Sequence, residues 1–270
     1  MKIANNNLSR NRKSESALRY YLISAASLTL FFVAWQLLVD LKVVSNRILA
    51  SPLQVAITFV DKLSNVNPDG ATLGQHFLAS LLLALTGYLI AVSIGVAMGL
   101  TMGWFKNFEI IVSPFFEFLR PIPPIAWIPL SILWFGVGLS AKAFIIFLSA
   151  FVPSVINSYA GVRQTEPVLI DAAKTFGASH VQIFFKVCIP SALTMVFTGL
   201  KVSLGASWMA LVAAELLAST VGLGYMIQMA RDFGRPDIII VGMLVIGISG
   251  ALLAIGLDKL EAKINAGRQI

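Results

Sequence analysis

Charge is what this sequence has least of. Only 12% of its 270 residues are Asp, Glu, Lys or Arg, about half the share of an average soluble domain, where the figure is ~25%. Apolar residues fill 57% of the chain and the mean hydropathy is +0.84. A water-soluble globular class is thereby excluded, and the chain reads as an integral membrane protein. Cysteine is nearly absent: the single Cys188 excludes an internal disulfide and is most simply a small buried apolar residue. The two histidines, His76 and His180, lie far apart in different loops, and a metal centre is not expected. No G-x-x-x-x-G-K-[ST] phosphate loop occurs, so whatever energy drives the protein must come from elsewhere. An internal repeat is also missing, which leaves the inverted-repeat transporter plan without support.

What is present is a series of long apolar runs. The basic stretch with Arg10, Arg12, Lys13 and Arg19 precedes a run from Tyr20 to Leu41. That run is too long for a signal-peptide core and carries its small residues inside it, so it reads as an uncleaved first transmembrane helix. Ser51-Pro52 then starts a short amphipathic helix, with Val55, Ala56, Phe59, Val60 and Leu63 on one side, expected to lie on the outer membrane surface. A turn-rich link from Asn65 to Gly74 leads to the second span, Phe77 to Phe105. Its Gly87, Gly95, Gly99 and Gly103 recur at four or eight residues, a small-residue stripe that lets another helix approach closely.

The third span, Phe108 to Phe135, is interrupted by Pro114, Pro121, Pro123, Pro124 and Pro129. No continuous α-helix tolerates five prolines, and a broken helix in lipid must have its freed carbonyls satisfied by protein or by a water-filled cavity. It is therefore a candidate pathway-lining element. Further spans are expected at Lys142 to Tyr159, Ala192 to Leu217 and Ile238 to Leu257, with residues 218–236 forming a glycine-rich outer loop. The division is thus a tail at 1–19, a first helix with its amphipathic segment at 20–76, a core at 77–258 and a second tail at 259–270. Putting both termini in the cytoplasm places twelve Lys and Arg inside (2, 10, 12, 13, 19, 106, 163, 174, 186, 259, 263, 268) against six outside (42, 47, 62, 142, 231, 235), as the positive-inside rule requires. The net charge of +7 is therefore read as orientation and anionic lipid, not nucleic acid.

Four charges fall within spans, where each costs at least a few kcal/mol without a partner. Glu117 and Arg120 are three residues apart, so an intrahelical pair is the plainer reading; the sharper one has Arg120 and the neighbouring Trp127 lining the route of an anion. Lys201 reads as snorkelling to the headgroups. Glu215 either pairs with Arg231 or Arg235 or serves a gate along the pathway, and no second acid or nucleophile comes with it to make a catalytic site. Trp127, Trp134 and Trp208 have a ready explanation as packing or interfacial aromatics.

The polar stretch Arg163 to Pro190 organises the rest. Glu166-Pro167 makes a first helical turn, Val168, Leu169, Ala172, Ala173 and Phe176 share a face, Gly177 supplies a left-handed stop, and Ser179 with Gln182 makes a capping box for a second helix. The expected product is a hairpin with an apolar flank for the membrane body and a polar flank free to meet something else.

Asp171-Ala172-Ala173, then Gly177, then Val187-Cys188-Ile189-Pro190 resembles the EAA loop of ABC importer permeases, with Asp for Glu, Val for Ile and Ile for Leu. Arg120-Pro-Ile-Pro-Pro-Ile-Ala-Trp-Ile-Pro-Leu130, Leu133-Trp-Phe-Gly-Val-Gly138, Ala213-Ala-Glu215 and Gly222-Leu-Gly-Tyr-Met-Ile227 narrow the resemblance to permeases of the nitrate/sulfonate/taurine group, over roughly Leu49 to Leu260. The resemblance implies an all-α, six-helix type I importer (MetI-like) fold in the bacterial inner membrane, working as a homodimer. It implies two ATPase subunits that hold ATP and Mg, docked through Asp171, Ala172, Ala173, Lys174, Gly177, Ala178 and Ser179. A periplasmic or lipid-anchored binding protein would deliver a small oxyanion, taurine or another alkanesulfonate first, nitrate or bicarbonate next. Two rivals of other classes stand beside it: an ion-coupled secondary transporter, which needs no ATPase, and a structural membrane anchor, which needs no broken span.

Overall fold

A computed structural model describes residues 22–266; the tail at 1–19 with its basic residues, and Arg268, lie outside them. Every regular element among the described residues is helical. In chain order they are α1 (Leu22–Asp40), α2 (Pro52–Lys62), α3 (Leu73–Trp104), α4 (Lys106–Leu119), a 3₁₀ turn (Pro124–Trp127), α5 (Ile128–Phe135), α6 (Leu139–Arg163), α7 (Pro167–Thr175), α8 (His180–Ile183), a π turn (Phe184–Cys188), α9 (Ile189–Ala218), α10 (Leu223–Asp232) and α11 (Pro236–Ala266). Five helices among the described residues are long and apolar enough to cross a membrane, and the bent pair Lys106–Leu119 and Pro124–Phe135 brings the number to six when counted as one span.

The bundle is built on α6, which packs along α3 on one side and α9 on the other. The α3–α6 seam follows from the glycine stripe. A Cβ at Gly87 would come 2.7 Å from Ile146, one at Gly95 2.8 Å from Ser154, and one at Gly103 2.7 Å from Val162. Close backbone approach replaces the hydrophobic driving force that lipid does not supply. On the other side of α6, the buried Ser154 and Ser203 hydroxyls bond at 2.7 Å and Ser203 also donates to the Ala150 carbonyl.

Three expectations from the sequence are corrected. The 218–236 segment is a loop at its ends only. Its middle is α10, with Leu223, Met226 and Ala230 buried against Ile238 and Val241 of α11. Helix α2 does begin at Pro52 and is capped by Ser51, whose Oγ accepts from the Gln54 N–H. The face it turns inward carries Val55, Thr58 and Lys62, while Phe59, Val60 and Leu63 are exposed. The polar residues go inward because partners await them: Thr58 Oγ1 donates to Asp237 at 2.8 Å and Lys62 pairs with Asp69 at 2.6 Å. Finally, Lys201 is not free to snorkel, being held between Asp258 (2.6 Å) and Glu261 (2.5 Å) of α11.

Candidate functional site

At one end of the bundle the chain leaves α6 at Arg163 and turns through Thr165 into α7. Pro167 occupies the first turn, where its missing N–H is no loss. Gly177, at φ +78°, ends the helix: its N–H bonds the Lys174 carbonyl and the Ala178 N–H bonds Ala173, the reciprocal pair of a left-handed helix stop. Ser179 and Gln182 then cap each other's backbone (2.8 and 3.3 Å) and start α8. Contrary to a second short helix followed by a separate span, α8 runs through the π turn into α9, giving one rod from His180 to Leu216.

The hairpin meets the bundle through Ile170, Ala173 and Ala178, packed on Val162, Ile183, Phe184 and Cys188. The Trp104 indole N–H donates to His180 Nδ1 at 2.9 Å, tying the end of α3 to the start of α8. The expected apolar flank is therefore split. Ala173 faces the bundle, but Val168, Leu169, Ala172 and Phe176 face away, with Phe176 91% and Val168 74% exposed. Asp171 and Lys174 share that outward side as an exposed pair at 2.9 Å. Folding onto a small-residue strip lets α7 sit close to the bundle and leaves its larger apolar side chains outside. That outer surface, apolar with one ion pair at its edge, has the character of a docking face.

A second feature lies beside the broken span. The chain bends by 83° between α4 and the 3₁₀ turn, and a cavity of about 710 Å³ opens there, lined among others by Phe116, Arg120, Trp127, Phe144, Phe151 and Met209. Glu117 lines a smaller hollow of about 240 Å³ that shares Phe116 and Arg120 with it. The expected Glu117–Arg120 pair forms at 2.9 Å, with both side chains about half exposed. Among the described residues Glu117 is the one partner of the guanidinium, through a single N–H, so most of its five donors are left over.

Glu215 does not join them. It is 1% exposed, at the far end of α9 from the hairpin, and its partners are not Arg231 or Arg235, which bond Asp232 and Asp237 instead. The Ser80 hydroxyl donates to its carboxylate at 2.8 Å and the Gly224 N–H at 2.9 Å. Ser80 Oγ accepts from the Leu223 N–H at 2.8 Å, and His76 Nδ1 accepts from the Gly222 N–H at 3.0 Å. Since a backbone N–H can only donate, the His76 proton sits on Nε2, 3.2 Å from Asp69 Oδ2. Asp69 in turn holds Lys62, which also reaches the Asn67 and Ala71 carbonyls. Burial alone would raise the Asp69 carboxyl, but the His76 and Lys62 contacts outweigh it and hold it below the ordinary 3.8. Lys142 is separate from these bonds and donates to Ser219 at 2.9 Å. Sequence reasoning missed this set, apart from Glu215 itself. The one available signal was His76 and Ser80 at i, i+4 on a helix face otherwise apolar.

Among the described residues no group of three His, Cys, Asp or Glu could hold a metal ion. Residues 91–266 match the family described as "Binding-protein-dependent transport system inner membrane component". The taurine transport system permease protein of Escherichia coli (strain K12) is 37% identical over 251 residues, 92% of this chain and 90% of the relative. The putative aliphatic sulfonates transport permease protein of Bacillus subtilis (strain 168) is 33% identical over 94% of this chain and 90% of the relative. The nitrate import permease protein of a Synechocystis strain is 33% identical over 91% and 90%. A crystal structure of "an amino acid ABC transporter with histidines" superposes with a TM-score of 0.53 at 17% identity, covering 78% of this chain and 94% of that one, which is a likeness of fold.

Proposed function

The chain belongs to the family of binding-protein-dependent transport system inner membrane components, and from that premise we propose that it forms the homodimeric pathway of an importer for a small oxyanion, taurine or another alkanesulfonate. It is an ABC importer permease and not itself an enzyme; ATP hydrolysis belongs to a separate subunit. The observation that carries the reading is the hairpin. Its outward face exposes Val168, Leu169 and Phe176 at the end of an unbroken rod that runs the length of the bundle. An ATPase subunit, holding ATP and Mg, docks on this face through the Asp171–Ser179 stretch, and its closure tilts the rod.

The route for solute is the cavity beside the broken span. A second copy of the chain faces it, because the freed backbone around Pro121 to Pro124 needs protein or water, not lipid. Arg120 offers its unused N–H donors to the anion and Trp127 covers an apolar body. A periplasmic or lipid-anchored binding protein delivers the solute to the end opposite the hairpin, and both termini are cytoplasmic. The solute follows the relatives: the taurine and aliphatic-sulfonate permeases support a sulfonate, and the nitrate permease supports nitrate as runner-up.

The deciding experiment expresses the chain with its ATPase and binding protein and follows uptake of radiolabelled taurine, an alkanesulfonate and nitrate. ATP-dependent uptake of a sulfonate in preference to nitrate is expected. Uptake driven by an ion gradient in the absence of any ATPase would overturn the assignment.

A further inference from the structure

Three consecutive backbone N–H groups open α10, at Gly222, Leu223 and Gly224, and an isolated helix leaves such groups without partners. Here each is taken by a different buried side chain from another span. Gly222 bonds His76 of α3, Leu223 bonds Ser80 of α3, and Gly224 bonds Glu215 of α9. Ser80 is the common member, because it accepts from Leu223 and donates to Glu215. The fit is close: Gly222 sits at φ +132°, and a Cβ there would overlap the Glu215 carboxylate; one at Gly224 would come 2.8 Å from the Val212 carbonyl and from Glu215 Cβ. His76, Ser80 and Glu215 are each 0 or 1% exposed. Such a buried network resists shear, since breaking any of these bonds leaves a buried polar group unpaired.

The far end of the same helix that carries Glu215 is the hairpin, because α8, the π turn and α9 form one rod from His180 to Leu216. We propose that His76, Ser80 and Glu215 are positioning residues that lock α10 to the α9 rod and to α3, so that displacement of the hairpin is delivered to α10 at the opposite end of the protein. Helix α10 ends in the exposed Arg231, Asp232 and Phe233, so the delivered motion reaches the surface that meets solute or its carrier. This inference rests on the importer reading, in which the hairpin is the driven end. The seat of the lock in paired side chains means that it is removable without touching either the hairpin or the cavity.

The test uses the whole transporter in nanodiscs, in a Cys188→Ser background, with spin labels on the two copies at Gln164, exposed at the foot of the hairpin and outside its docking stretch, or at Arg231 in α10. In the parent protein both label pairs are expected to change spacing when a non-hydrolysable ATP analogue is added. Movement of the Gln164 pair with a still Arg231 pair would overturn the lock and leave the importer reading standing; stillness of both pairs would overturn both. In Ser80→Ala the Gln164 pair is expected to move as before and basal ATP hydrolysis to stay within about twofold. The Arg231 pair should stop following, and stimulation by the loaded binding protein should fall at least about tenfold. Ser80→Thr, which keeps the hydroxyl, should restore both. An Arg231 pair that follows the nucleotide in Ser80→Ala as it does in the parent would reject the lock. Should Ser80→Ala fail to assemble, the parent measurement still tests the lock, since a still Arg231 pair beside a moving Gln164 pair would overturn it.

Discussion

Gly99 of α3 lies directly against the carbonyl oxygen of Val155 in α6, so close that a side chain at residue 99 has no place to go. The obstacle is backbone on the facing helix, which cannot swing aside. Gly99→Ala is therefore expected to push α3 off α6 and cost ~1–3 kcal/mol, the usual penalty of overpacking. Gly256→Ala in α11, where nothing lies within 4 Å of the added carbon, should be neutral or stabilising by up to ~1 kcal/mol, since helix-interior glycine is the less stable choice. Thermal unfolding in detergent separates the two; equal melting temperatures would remove the seam argument.

The hairpin face gives a second expectation. Phe176→Ser removes the most exposed large side chain of the hairpin, one that is 91% exposed and outside the cluster packed on the bundle, so insertion and melting should be unchanged. If an ATPase buries that ring, its affinity should fall by about ten- to a hundredfold, the equivalent of ~1.5–3 kcal/mol. Gly177→Val should act by a different route, straining a φ of +78° and turning α8 away from α7. Undiminished co-purification of the ATPase with both variants would move the docking face elsewhere.

The outward turn of Phe176 shows what the sequence can and cannot say. The stop at Gly177, the capping box at Ser179, the glycine stripe and the break in the third span were all legible, because each is written as a pattern along one stretch of chain. Which side of α7 faces in was not legible: two apolar strips compete there, and the tighter one, Ile170 with Ala173, wins by allowing closer approach. Helix α10 escaped for a similar reason. Its capping groups come from residues 76, 80 and 215, so no local signal marks its start.

Acid should weaken the Lys62–Asp69–His76 cluster in a definite direction. Asp69 is held below its ordinary 3.8, so its contribution is complete above that value and is lost as pH falls through the lower folded value. Asp69→Asn should lose it at neutral pH as well, at a cost of ~3–5 kcal/mol, because Lys62 stays buried at 0% exposure without its counter-ion. Melting temperatures taken from pH 7 down to pH 3 should fall for the parent at the acid end and start low for the variant. A variant as stable as the parent at pH 7 would contradict this.

Arg120 and Glu117 form a pair that also borders the cavity, so a double-mutant cycle on uptake distinguishes the two roles. Arg120→Ala alone should lower uptake by about ten- to a hundredfold if an anion uses its donors, the range of a charge-assisted hydrogen bond. Glu117→Ala with Arg120→Ala should then be no better. Recovery of transport in the double variant would leave Arg120 a structural residue only.

Orientation is open to direct labelling. Cysteines at Asn5 and Gly267 should resist an impermeant thiol reagent outside intact cells and one at Asn67 should react, in a Cys188→Ser background. Of the six basic residues counted outside, Lys62 and Lys142 are bound up in buried contacts, which sharpens the asymmetry from which this direction is argued. Strong labelling at residue 5 would invert the topology.

The π turn at Phe184–Cys188 has a consequence for which lengths the chain can change. A residue more or less in an α-helix rotates everything beyond it by about 100° about the axis, and a π turn takes up one such extra residue by its wider winding. Here the extra residue is absorbed within the turn itself, so the hairpin keeps nearly the azimuth that a regular helix would give it. Deleting a single residue between 184 and 188 should therefore restore regular winding and leave Phe176 aimed much as before, whereas a deletion between 195 and 210, in regular α-helix, should turn the two ends of the rod by about a quarter-turn relative to one another. The link at 65–72 keeps no helical phase, yet its Asp69 and the Asn67 and Ala71 carbonyls hold Lys62. Changes of length are thus limited by phase in the rod and by the Lys62 contacts in the link.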